Sequence, residues 1–117
     1  MAEHWKLTVR DGPAVRKSVF ASLGEALDEL QGETVEAANR PSVAAIEMRV
    51  RKFEPGDRVV MRTEVRGPQR RFSKVVAGID VRGDGTLAPW VGAGSRSLID
   101  VGVNETAWQA LRRQLGA

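Results

Sequence analysis

A chain of 117 residues, 42% hydrophobic and 28% charged, has the length and balance of one globular domain with its own core, spanning residues 1–117. It has no cysteine and a single histidine, His4, which excludes disulfides, thiolate metal sites and thiol nucleophiles. The net charge of +3 is a small remainder of unequal segments: −4 over residues 22–40 and +5 over 41–76.

Residues 5–10 alternate Trp5, Leu7 and Val9 with Lys6, Thr8 and Arg10, the pattern of a half-buried strand. Asp11-Gly12-Pro13 reads as a turn, and residues 15–20 as the second strand of an antiparallel hairpin. Ser22-Leu23-Gly24-Glu25 then has the form of a capping box. Leu23, Ala26, Leu27 and Leu30 make the apolar stripe of a helix, with Asp28, Glu29 and Glu33 opposite. Gly32 either ends that helix or marks a break, with residues 34–39 able to add one or two turns before Arg40-Pro41.

A third strand is expected over 43–53, with Ile46, Met48 and Val50 on one side and Glu47, Arg49 and Arg51 on the other. Glu54-Pro55-Gly56-Asp57 turns the chain into a fourth strand, 58–66, whose inner set is Val59, Met61, Thr63 and Val65. After Gly67-Pro68-Gln69, a fifth strand over 70–81, bent at Gly78, points Val75, Ala77, Ile79 and Val81 inward. Gly83-Asp84-Gly85 closes a hairpin with residues 86–91, and 97–103 form a last short strand. A second helix is expected from an N-cap at Asn104, with Glu105 in its first turn and a stripe of Ala107, Trp108, Leu111 and Leu115. Arg112 and Arg113 complement its dipole and Gly116 caps its end. The order ββα-ββ-βββα predicts a two-layer α+β sandwich, an antiparallel sheet of six or seven strands with two helices on one face.

The start of the chain lacks a basic and then apolar leader, and no apolar run is long enough to span a bilayer, so the expectation is a cytoplasmic protein without a membrane partner. Fourteen arginines against four lysines fit a bacterial genome rich in G and C. No glycine-rich phosphate loop and no metal-ligand spacing is present, and no cofactor is implied.

The charge map carries the functional expectation. Paired across the 54–57 turn, Arg49, Arg51, Arg62 and Arg66 share a solvent face with Glu47 and Glu64, extended by Arg70, Arg71 and Lys74. Guanidinium forks match carboxylates and phosphates equally well. The leading reading is a non-catalytic protein that binds another macromolecule, a protein or its own copy as a homodimer, through these arginines. The same residues serve an alternative reading as an RNA or DNA backbone binder, and a solvated face laced by Glu–Arg pairs is the plainest one. A third class is an enzyme using Asp80 and Asp100 as a carboxylate pair. Trp5 and Trp108 fall on apolar faces as core anchors. Trp90, beside the Gly92-Ala93-Gly94 loop, is either a partner-binding hot spot or a cap on the end of the sheet.

Overall fold

The computed structural model describes residues 4–39, 59–67, 75–92 and 95–117. The alternating Trp5, Leu7 and Val9 become the buried side of β1 (Trp5–Asp11), which turns into the exposed strand β2 (Ala14–Phe20). β3 (Val59–Gly67), β4 (Val75–Arg82), β5 (Leu87–Val91) and the two-residue β6 (Ser97–Leu98) complete a fully antiparallel sheet. Its spatial order is β2-β1-β3-β4-β5-β6. Two helices, α1 (Leu23–Ala38) and α2 (Ala107–Leu115), lie over one face. The fold is the expected α+β arrangement with six strands.

The core forms between that face and the helices. Trp5, Leu7, Val9, Met61, Val65, Ala77, Ile79 and Val81 meet Ala26, Leu27 and Leu30 of α1 and Ala107, Ala110 and Leu111 of α2. Met61 and Val65 of the inner set read for β3 and Ala77, Ile79 and Val81 of that read for β4 join this core. Val59 does not: a register shift between Val59 and Met61 leaves it 41% exposed and packs Val60 against the core instead. The expected strand over 43–53 lies outside the described residues, as do residues 70–74 of the fifth expected strand.

The helices explain their own limits. The Ser22 hydroxyl accepts from the Glu25 amide at 3.2 Å, and α1 runs through Gly32 without a break. Glycine inside a helix costs about 1 kcal/mol relative to alanine, and burial of Thr34 and Ala37 beyond it offsets that penalty. Thr34 donates to the Leu30 carbonyl at 2.9 Å and accepts the Trp108 indole N–H at 2.8 Å, tying α1 to α2.

The second helix starts two residues later than the sequence pattern indicates. Its N-cap is Thr106, in a reciprocal capping box with Gln109. Asn104 instead takes a left-handed φ of 64°. Glu105 folds back to accept the Gly102 amide at 2.9 Å and both Nε and Nη2 of Arg113, which also donates to the Asp100 carbonyl at 2.8 Å. This clasp consumes residues 100–105, so the expected strand over 97–103 is only two residues long. The Arg113 hydrogen bond and the Gly102 amide hold the Glu105 carboxyl below its ordinary pKa.

The β3–β4 ladder has one unusual step. Between the pairs Arg62–Asp80 and Val65–Ala77, the Thr63 hydroxyl donates to the Ile79 carbonyl at 2.9 Å and accepts the Ile79 amide at 3.1 Å. Gly78 permits this step. A Cβ there would stand 1.9 Å from the Thr63 carbonyl oxygen and 2.9 Å from Cζ2 of Trp90. Only a residue without a side chain lets the strands approach this closely.

Candidate functional site

The face of the sheet away from the helices holds the candidate residues. Because cross-strand partners share a face, the register gives its layout directly. One row runs Val19, Lys6, Arg66 and Val76; another runs Val15, Arg10, Arg62, Asp80 and Ala88. Lys17 and Thr8 lie between these rows, as do Glu64 and Trp90 on their own strands.

Arg62 and Arg66 therefore share a face, as expected, but their neighbours differ from the expected ones. β3 pairs with β1 along Met61–Arg66 and with β4 on its other side, and the expected strand over 43–53 and the 54–57 turn lie outside the described residues. Arg49, Arg51, Arg70, Arg71 and Lys74 lie outside the described residues. Among the described residues, Lys6 stands opposite Arg66 and Arg10 opposite Arg62. These two residues were absent from the sequence-based set because the pairing of β1 with β3 is long-range.

The ion pairs on this face are unequal. Arg62 grips Asp80 with both prongs, Nε to Oδ1 at 2.9 Å and Nη2 to Oδ2 at 3.0 Å. The Asp80 side chain is 13% exposed and that of Arg62 39%. Arg66 is only loosely associated with Glu64, at 3.9 Å. Arg10 is exposed and, like Lys6 and Lys17, forms no ion pair among the described residues. Val15 and Val19, 47% and 65% exposed, border the basic residues on β2.

Trp90 presents no surface to a partner. It is 1% exposed, lies opposite Gly78 and carries the Arg96 guanidinium 4.2 Å above its ring centroid. That placement is the sheet-capping alternative. Its indole N–H is buried and has no acceptor among the described residues. Thr8, Val76 and Ala88 on the same face are also buried, so the face away from the helices is not uniformly open to solvent. Trp5 is a core residue and Trp108 a partly buried one, in keeping with their expected roles.

Both carboxylate oxygens of Asp80 are engaged by Arg62, while Asp100 is exposed beyond β6 and contributes its backbone carbonyl to Arg113. Among the described residues no group of three His, Asp or Glu side chains is placed to hold a metal ion, and no helix is long and apolar enough to cross a membrane.

The opposite side of the molecule is acidic. α1 carries Glu25, Asp28, Glu29, Glu33 and Glu36, of which Glu33 is forked by Arg16 at 2.6 and 2.9 Å and Asp28 meets Arg112 at 2.7 Å. Comparison with known proteins finds no match: no family model, no curated protein and no solved structure resembles the chain.

Proposed function

We propose that this chain is a non-catalytic binding protein that engages an acidic surface of another protein through the face of its sheet away from the helices. The observation that carries this reading is the placement of like charges directly opposite one another: Lys6 against Arg66 and Arg10 against Arg62. Such pairs weaken a sheet, by up to about 1 kcal/mol each. Stability alone gives no reason for two of them side by side; contact with an anionic partner does.

Three features favour a protein over a nucleic acid. Glu64 and Asp80 interrupt the basic rows and would repel a continuous phosphate backbone. Among the described residues this face offers no exposed aromatic ring for base stacking, since Trp90 is buried. Val15 and Val19 add exposed apolar area beside the cations, the mixed chemistry of protein interfaces.

The test is affinity capture from native cells, comparing the wild type with a Lys6→Glu, Arg10→Glu double variant whose fold is checked by circular dichroism. The expected result is a reproducible set of acidic proteins that the double variant loses. Unchanged capture overturns the assigned face. Binding of generic RNA or duplex DNA at about 50 mM salt, falling steeply as salt rises, overturns the choice of partner.

A further inference from the structure

A cavity of about 270 Å³ opens at the end of the sheet nearest the β1–β2 turn, lined by Arg10, Gly12, Val59, Val60, Met61 and Arg62. Two arginines thus border one groove beside Val59, Val60 and Met61, because Arg10 and Arg62 are cross-strand partners. Their roles differ. Arg62 is fixed by its two-pronged grip on Asp80, which uses Nε and Nη2 and leaves other N–H donors of its fork unspent. Arg10 forms no ion pair among the described residues, so no carboxylate described there engages its fork.

We infer that this groove is a carboxylate site that takes a glutamate side chain of the protein partner. The choice of anion follows from the local charge. Arg10 and Arg62 bring two positive charges and Asp80 removes one, leaving a single positive charge to be met. A carboxylate matches it. A phosphate dianion exceeds it and stands close to the Asp80 carboxylate, where like charges repel. The choice of side chain follows from the walls. Val59 and Val60 offer apolar surface to the methylenes that precede a carboxylate, and a planar guanidinium fork fits a carboxylate in bidentate fashion.

The inference rests on the binding reading above for its partner, and its test separates the two. Butyrate, which reproduces a glutamate side chain together with its α-carbon, is titrated into the full chain at constant ionic strength. Inorganic phosphate is titrated in parallel, and both are followed by amide chemical shifts. Saturable shifts confined to Arg10, Gly12, Met61 and Arg62, with butyrate binding more tightly than phosphate, are the expected result. Arg10→Gln, an exposed substitution, should weaken butyrate roughly tenfold, the worth of one charge-assisted hydrogen bond. Glu29→Gln, on the exposed side of α1, should leave it unchanged.

Absence of saturation, equal shifts around Lys6 and Lys17, an Arg10→Gln variant that binds like the wild type, or tighter binding of phosphate would each overturn the site. Butyrate binding in the groove with partner capture untouched by Arg10→Gln overturns the glutamate of a protein partner as its occupant. Capture lost without any butyrate binding overturns the groove and leaves the wider face standing.

Discussion

Replacing Gly78 by alanine places a methyl group where the Thr63 carbonyl already is. The new Cβ would lie 1.9 Å from that oxygen, against 3.4 Å or more in ordinary contact, and 2.9 Å from Trp90 Cζ2. The nearest obstacle is backbone and cannot swing aside as a side-chain tip does. β3 and β4 must separate by about 1.5 Å at this point, which breaks the 2.9 and 3.1 Å bonds between the Thr63 hydroxyl and Ile79. Two buried hydrogen bonds at about 1 kcal/mol each, added to an overpacking penalty of about 1–3 kcal/mol, give a loss of roughly 3–5 kcal/mol. For a domain of this size that lowers Tm by roughly 12–20 °C. Thermal and urea unfolding followed by far-ultraviolet circular dichroism measure it. Gly32→Ala is the matched control: a Cβ there meets nothing within 4 Å, and it should stabilise α1 by up to about 1 kcal/mol. A Gly78→Ala protein that melts within about 3 °C of the wild type would refute the close approach of β3 to β4.

Thr63→Val keeps the volume but removes the hydroxyl that serves both backbone groups of Ile79, so the urea midpoint should fall by the equivalent of about 2–3 kcal/mol. An unchanged midpoint would show that direct strand pairing replaces it. Trp108→Phe deletes the bond from the indole to Thr34 and should cost about 1 kcal/mol. In a cycle with Thr34→Val the two effects should fail to add, and strict additivity would mean the helices are not coupled through this bond. Because the folded state holds the Glu105 carboxyl below its ordinary value of 4.5, the stability it contributes is complete above that pH and fades as the pH falls through the lowered folded value. The gap in urea midpoint between the wild type and Glu105→Gln should therefore be clear at pH 6 and shrink toward pH 3. A gap that stays constant across that range would exclude the linkage.

Much of the fold is legible in local pattern. The alternation in β1, the apolar stripe and Ser22 cap of α1, and the Gly83-Asp84-Gly85 turn are decided by near neighbours, and each appears where the residues indicate. The site is less legible because tertiary pairing decides it. The two edges of β3 are taken by β1, which is far from it in the chain, and by β4. That topology joins Arg10 to Arg62 and Lys6 to Arg66, residues too far apart in sequence for any short-range pattern to connect. Trp90 shows the same limit. Its burial depends on Gly78 opposite and on the Arg96 guanidinium, which a sequence window around Trp90 does not join to it. At α2, Asn104 and Thr106 are both acceptable N-caps in isolation, and the demand of Arg113 and Gly102 for the Glu105 carboxylate selects the later one.

The pairing of β1 with β3 also closes a long loop of the chain. β1, β2 and α1 form one contiguous block of the chain, and β3, β4 and β5 follow one another in a second. Leu7 and Val65 meet only after the whole intervening chain has been looped, an entropic penalty of about 3–4 kcal/mol at that spacing. The seam between these two blocks carries that penalty, and the cations facing each other across it weaken it further. Arg10 and Arg62 belong to different blocks, as do Lys6 and Arg66. The proposed binding face thus draws its cations from both sides of the seam, and an anionic partner bound there should slow exchange of the β1 and β3 amides together.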